Sequence, residues 1–280
     1  MPGCEVETAL ESSCSHYADI RRIRKIYDAF YSHEKTGPDA GQTYRDLVEI
    51  GRILANFSDK GLVLDAGCGT GRGSIALATR GTRTVGIDIS VAGTRRANAI
   101  ANGAGLGDFI DLLVADVEFL PFRECVFDGV IFMGTFEYFA DIKPSLVEAC
   151  RVMRLGALCL MNVWHASIGD ALTVIRPKHG PRRSHSLRYI CDVVAGSGMR
   201  GRLSGHFFIL PGQVRLLGRI LRTLTRSHEL CLEGHAYRIN ERVTSSLFGR
   251  YVSPDVECLL VRVRDSTQDS LSCCPNLSGA

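Results

Sequence analysis

Five residues at every second position dominate this chain: Asp65, Gly67, Gly69, Gly71 and Gly73 in Asp65-Ala66-Gly67-Cys68-Gly69-Thr70-Gly71-Arg72-Gly73. The apolar run Leu62-Val63-Leu64 ahead of them predicts a buried parallel strand. Ser74-Ile75-Ala76-Leu77-Ala78 behind them predicts the start of a helix. Glycines between a strand and a helix permit positive φ and let a ligand approach backbone N–H groups without a Cβ in the way. Two ligand chemistries compete for such a turn. A dinucleotide fingerprint needs G-x-G-x-x-G/A followed by an acid about 20 residues on. Gly67 and Gly69 would then require a small residue at 72, where Arg72 stands. Gly69 and Gly71 would require one at 74, where Ser74 fits in part. The pattern D-x-G-x-G-x-G is met without adjustment, and it places a carboxylate at the C-terminal end of the strand. There the acid can meet a cationic amino group rather than a pyrophosphate.

Two further acids close two further apolar segments. Thr84-Val85-Gly86-Ile87-Asp88 predicts a second strand, with Ser90 as the cap of a helix from Val91 to about Asn102. An acid at the end of the second strand of a doubly wound sheet is placed to accept both hydroxyls of a ribose, a role for Asp88 that nicotinamide enzymes share. Phe109-Ile110-Asp111-Leu112-Leu113-Val114-Ala115-Asp116 predicts a third strand, and Phe127 to Gly134 a fourth. Lys143 to Arg154 predicts a helix whose Leu146, Val147, Cys150 and Met153 share an apolar face, and Gly156 to Val163 predicts a fifth strand.

These blocks, in order and at this spacing across residues 45 to 200, resemble the class I S-adenosylmethionine (SAM)-dependent methyltransferases. The glycine string resembles their motif I. Leu120-Pro121-Phe122 resembles their L-P-F run. Leu146 to Leu158 looks like their L-x-E-x-x-R-V-L-x-P-G-G-x-L, with Leu155 for proline and Ala157 for the second glycine. The branch it is closest to methylates quinone-type and natural-product small molecules. The resemblance implies SAM as cofactor and a Rossmann-like α/β sheet of seven strands in the order 3-2-1-4-5-7-6, the last strand antiparallel. It implies that Asp65, Gly67, Cys68, Gly69 and Gly71 hold the methionine end, Asp88 and Ile89 the ribose, and Asp116 and Val117 the adenine, with Met133 completing the cofactor set.

Composition narrows the class. At 280 residues and 45% hydrophobic content the chain can bury one α/β core with additions. A net charge of +3 is too mild to argue for a nucleic-acid partner. Eleven cysteines, dispersed and without a CxxC pair, read as buried thiols in a reducing compartment rather than as metal ligands. With no signal pattern and no apolar run near 18 residues, the expected location is the cytoplasm.

The expected organisation is a flexible start over 1–16, N-terminal helices over 17–57, a SAM-binding domain over 58–265 and a flexible tail over 266–280. Insertions are expected at about 164–183 and 211–250. In the resembling family such N-terminal helices fold over the cofactor as a lid, which makes Tyr27, Phe30 and Tyr31 candidate lid aromatics. Arg215, Arg219, Arg222 and Arg226 recur at helical spacing beside Leu216, Leu217, Ile220, Leu221 and Leu224. This predicts a basic amphipathic helix over 213–226, either a solvated face over a core contact or a peripheral contact with a membrane.

The methyl acceptor is expected to be a small molecule, a hydrophobic or ring hydroxyl compound, modified at oxygen or carbon. The N/D-P-P-Y/F motif of amino-methylating nucleic-acid enzymes is replaced by Met133-Gly134-Thr135-Phe136. Neither a Pro-Cys nucleophile nor the paired-glutamate loop of protein arginine methyltransferases is present. His165, just past the fifth strand, is the first candidate base, with His206 and Glu137 behind it. Tyr27, Tyr31, Glu137 and Tyr138 are the candidate acceptor pocket. Two other readings stay open: a SAM-binding protein without catalysis, and an NAD(P)-dependent oxidoreductase. Arg72, Asp65 and the missing Tyr-x-x-x-Lys pair count against the latter.

Overall fold

The computed structural model describes residues 20–32, 40–164, 183–207 and 255–263. Helix α1 covers residues 20–32 and α2 Ala40–Phe57. Strand β1 (Leu62–Ala66), helix α3 (Arg72–Ala78) and strand β2 (Arg83–Asp88) follow. Then come α4 (Val91–Gly103), β3 (Ile110–Val114), β4 (Phe127–Phe132), α5 (Lys143–Val152) and β5 (Met153–Trp164). The described chain ends with α6 (Leu187–Ala195), β6 (Met199–Phe207) and β7 (Asp255–Arg262).

The seven strands form one sheet in the order β3-β2-β1-β4-β5-β7-β6, the Rossmann-like order of the methyltransferase fold. β1 to β5 run parallel to their neighbours, and β7 lies antiparallel between β5 and β6. Parallel strands joined by helices bury both faces, which is why Val63, Leu64, Ile87, Val130, Ile131 and Phe132 read as unbroken apolar runs and are fully buried. Phe57, at the end of α2, is also fully buried and packs with Val63, Leu77, Ile131 and Leu160. Burying a ring of that size contributes about 1.5–3 kcal/mol. A Cβ on Gly129 would meet this ring at 2.5 Å, so glycine there is what lets α2 lie against β4.

β3, β4 and α5 end two residues earlier than expected, at Val114, Phe132 and Val152, and two strand starts differ for physical reasons. The third strand starts at Ile110, because Gly107–Phe109 forms a 3-10 turn that closes on Leu106. The fifth strand starts at Met153, before the expected turn. The Val126 N–H bonds to the Val152 carbonyl and Phe127 pairs with Met153, so the chain enters the sheet as soon as α5 ends.

The order of strands places a topological switch between β1 and β4, neighbours whose helical connections leave on opposite sides. The C-terminal ends of β1, β2, β3, β4 and β5 all lie at one edge of the sheet, where open α/β folds bind ligands. No described helix is long and apolar enough to cross a membrane.

Candidate cofactor and acceptor site

The turn after β1 is held open by left-handed residues. Gly67 has φ +78° and Gly69 φ +55°, and a Cβ on Gly67 would lie 2.5 Å from Thr135 Oγ1. Thr135 comes so close because its hydroxyl donates to the Ala66 carbonyl at 2.8 Å, tying the turn after β4 to the end of β1. Four N–H groups of this turn are engaged within the protein, contrary to what the glycine spacing alone suggests. Gly67 and Cys68 both donate to the Ile87 carbonyl, at 2.8 and 2.9 Å, and Gly71 donates to the Cys68 carbonyl at 2.8 Å. Gly69 donates to Asp88 Oδ2 at 2.8 Å. A pyrophosphate cradle needs such donors available, and here four of them are engaged inside the protein.

The acids have distinct surroundings. Asp65 is buried, and its Oδ2 accepts from the Ser74 N–H at 2.9 Å and the Ser74 hydroxyl at 2.8 Å, which fastens the first turn of α3. Burial pushes its carboxyl up to about 6, with the Ser74 hydrogen bonds opposing and the charge of Asp88 adding to the rise. Asp88 accepts from Gly69 on one oxygen and from the Ser90 N–H at 2.8 Å on the other. Desolvation raises its carboxyl despite these bonds. Ile89 is half-buried beside it. Asp116 is half-buried at the end of β3, and its Oδ1 accepts from the Glu118 N–H at 2.9 Å, with Val117 buried next to it. The following Leu120-Pro121-Phe122 loop is pinned by α5. Glu148 accepts the Leu120 N–H and a two-pronged ion pair from Arg151, whose guanidinium also donates to the Phe122 and Leu120 carbonyls. The Arg151 hydrogen bond holds the Glu148 carboxyl below its usual range. Met133, half-buried, packs at the end of β4. Cys68 is a buried thiol whose ionisation burial suppresses.

A raised buried acid gives a directional prediction. Folded Asp65 keeps its proton up to about pH 6, whereas an unfolded aspartate loses it near pH 4, so the native state binds more protons between these values. Stability from this group therefore falls as pH rises from about 4 to about 6 and is flat above, by on the order of 2–3 kcal/mol. Chemical denaturation of Asp65→Asn and the parent at pH 4.5 and 7 is expected to show the variant gaining on the parent at the higher pH. Parallel pH profiles would contradict it.

The acceptor-side candidates converge from two directions. Helix α1 lies over the turn after β1: the Tyr31 hydroxyl is 2.3 Å from where a Cβ on Gly69 would stand, and its ring 2.9 Å from that of Gly93. Tyr27 stacks on Tyr31 at 6.0 Å and meets Tyr138 edge-on at 5.7 Å. Phe30 packs edge-on against Tyr31 at 5.1 Å. Burial, then Glu137 and the neighbouring phenols and Asp88, push the Tyr27 phenol up, so Tyr27, Tyr31, Glu137, Tyr138 and Asp88 share one neighbourhood. The turn carrying Glu137 and Tyr138 is held by the Gly134 N–H on Asn162 Oδ1 at 2.7 Å and by the Arg183 N–H on the Glu137 carbonyl at 2.7 Å.

His165 and the 213–226 helix lie outside the described residues, and His206 lies on β6. Among the described residues no cluster of His, Cys, Asp or Glu is arranged to hold a metal.

Sequence reasoning passed over three residues here. Asp28 receives the Ser90 hydroxyl at 2.5 Å and the Ala92 N–H at 3.1 Å. Asn162 sits mid-pattern in an apolar strand, which was the available signal. His185 is buried, stacked on Tyr189 at 4.9 Å, and its backbone N–H bonds to the Trp164 carbonyl at 2.9 Å. Burial pushes its imidazole down, favouring the neutral ring. Only its tertiary position distinguishes it from the other histidines.

Comparison with known proteins agrees with this fold. Residues 64–161 match the family model described as a methyltransferase domain. A probable tocopherol O-methyltransferase of Oryza sativa subsp. japonica is 32% identical over 132 residues, which are 46% of this chain and 35% of that one. Norajmaline N-methyltransferase of Rauvolfia serpentina is 27% identical over 179 residues, 61% and 60% of the two chains. The chain spans about half the length of the curated relatives it matches. Among solved structures, geranyl diphosphate C-methyltransferase from Streptomyces coelicolor A3(2), in complex with geranyl diphosphate and S-adenosyl-L-homocysteine, superposes with TM-score 0.55 at 16% identity. The match covers 81% of this chain and 86% of that one, a likeness of fold.

Proposed function

We propose, for a chain whose residues 64–161 match a methyltransferase domain, that it transfers a methyl group from SAM to a small-molecule acceptor. The acceptor atom in this reading is oxygen or carbon. The observation that carries the cofactor assignment is the pairing of two buried carboxylates, Asp65 and Asp88, with a glycine turn four of whose donors are engaged within the protein. That environment repels a pyrophosphate and attracts a cation. SAM fits, because it carries an ammonium and a sulfonium and no phosphate.

When bound, SAM supplies a methyl carbon already activated by its sulfonium. The residues of this chain then have positional tasks. Asp65 and the turn of Gly67, Cys68, Gly69 and Gly71 hold the amino-acid end. Asp88, fixed on both oxygens by backbone N–H groups, offers its remaining lone pairs to the ribose hydroxyls, with Ile89 against the nucleoside. Asp116 and Val117 receive the adenine, and Met133 flanks it. Tyr27, Tyr31 and Tyr138 exclude water from the space where donor and acceptor must align, which contributes to rate by orientation rather than by acid–base chemistry. Glu137 lines the same space. His165, next in sequence after Trp164 at the end of β5, is the candidate proton acceptor for an acceptor hydroxyl.

Calorimetric titration with S-adenosylhomocysteine, with NAD and NADP as controls, tests the cofactor. Micromolar binding of S-adenosylhomocysteine alone is the expected result, and nicotinamide binding in its place would overturn the reading. Because the ligand ammonium favours ionised Asp65, affinity is expected to weaken by up to about tenfold from pH 7 to pH 5. A screen of hydrophobic phenols and enolisable carbonyl compounds with methyl-labelled SAM then identifies the acceptor.

A further inference from the structure

The described contacts of α1 contain a device that the cofactor motifs do not. Tyr27, Asp28 and Tyr31 fall at i, i+1 and i+4, which places them on adjoining strips of one helix. The tyrosines cover the glycine turn and the Glu137 loop. Asp28 instead reaches the N-terminus of α4, where its Oδ1 accepts the Ser90 hydroxyl at 2.5 Å and the Ala92 N–H at 3.1 Å. Ser90 is the cap of α4: its Oγ accepts the Gly93 N–H at 3.0 Å while its proton goes to Asp28. The Ser90 N–H in turn donates to Asp88 Oδ1, and Asp88 Oδ2 takes the Gly69 N–H. One chain of hydrogen bonds therefore runs Asp28–Ser90–Asp88–Gly69, from the covering helix to the glycine turn. Arg96 adds a second tie, donating to the Tyr31 carbonyl at 3.4 Å.

We propose that Asp28 is a positioning residue: by accepting from Ser90 and Ala92 it latches α1 over the cofactor site and fixes the cap through which Asp88 is oriented. The inference rests on the cofactor reading above and adds to it the residue that controls cofactor residence. A carboxylate suits the task for two reasons. It completes the N-terminus of α4, where unpaired N–H groups and the helix dipole favour negative charge. Its bonds to a hydroxyl and an N–H are charge-assisted, and the one to the hydroxyl is short. With the latch closed, Tyr31 lies across Gly69, so a bound nucleoside leaves only when α1 lifts.

The test compares Asp28→Ala with Asp28→Asn. The Ser90 and Ala92 bonds both go to Oδ1, which the carboxamide oxygen of asparagine reproduces and alanine does not, while Oδ2 faces Arg24 at 3.8 Å in an exposed pair whose loss in both variants costs little. Asp28→Ala is expected to raise the S-adenosylhomocysteine dissociation rate and Kd about tenfold, the worth of one charge-assisted hydrogen bond. Asp28→Asn is expected to stay within about threefold of the parent, a difference of at most about 0.65 kcal/mol. Amide hydrogen exchange supplies a readout independent of the ligand. In Asp28→Ala, residues 20–32 are expected to exchange faster while β1, β2 and β4 keep their protection. Unchanged exchange over 20–32 in Asp28→Ala, or equal loss in the asparagine and alanine variants, would overturn the latch. If the parent protein binds no S-adenosylhomocysteine, the cofactor reading fails, and the exchange experiment still decides whether Asp28 holds α1.

Discussion

Asp88→Ala is expected to reduce affinity for S-adenosylhomocysteine by a hundredfold or more, about 3 kcal/mol. Two losses combine. The first is the pair of hydrogen bonds to the ribose hydroxyls, each worth about 1.5–3 kcal/mol when the acceptor is charged. The second is the geometry of the glycine turn, because the Gly69 N–H, buried against Asp88 at 2.8 Å, loses its acceptor. The Ser90 N–H loses its partner too, which frees the cap of α4. Asp88→Asn separates these contributions. Its side-chain oxygen can take one backbone N–H, but its amide cannot take the other and can donate to only one side. Titration calorimetry of the parent and both variants is the measurement, with the order parent, asparagine, alanine expected for affinity. Retained affinity in Asp88→Ala would remove this residue from the cofactor site. In that case the Asp28–Ser90–Asp88 chain would end in a structural network rather than at a ligand.

Gly67→Ala is expected to be the most damaging change at the turn. The backbone there has φ +78°, a conformation that costs an L-residue about 1–2 kcal/mol. The new Cβ would also stand 2.5 Å from Thr135 Oγ1 and 2.6 Å from its Cγ2. Thr135 cannot swing aside without giving up its bond to the Ala66 carbonyl, and it is buried. Overpacking of this kind adds about 1–3 kcal/mol. The sum, roughly 2–5 kcal/mol, corresponds to a fall in Tm of about 5–15 °C for a domain of this size. Thermal unfolding followed by circular dichroism measures it. The paired variant Gly67→Ala with Thr135→Ser removes Cγ2 and is expected to recover part of the loss. A Gly67→Ala protein as stable as the parent would mean that the turn has another conformation.

The strand–turn–helix order, the acids at the ends of β1 and β2 and just beyond β3, and the Ser90 cap were legible because each depends on a few neighbouring residues. An apolar run, a glycine spacing or a hydroxyl before a helix constrains the backbone locally, whatever packs around it. The sheet order came from the resemblance, which β7 between β5 and β6 bears out. The Glu148–Arg151 pair was legible as a motif, but its task of pinning Leu120 and Phe122 was not, since the three segments meet only in the folded chain.

By itself, then, the sequence determined the strand–turn–helix elements and the order of the chemical groups along the chain, through local periodicity and turn stereochemistry, while the sheet order followed from the family resemblance. The tertiary structure alone decided three things. It engaged the glycine-turn N–H groups with Ile87, Cys68 and Asp88, turning an apparent anion cradle into a rigid floor beside two buried carboxylates. It laid Tyr31 across Gly69. It brought Asp28 to Ser90, 62 positions away. Hydrogen-bond partners and desolvation depend on which distant segments exclude water from a group, and no spacing along one chain specifies that.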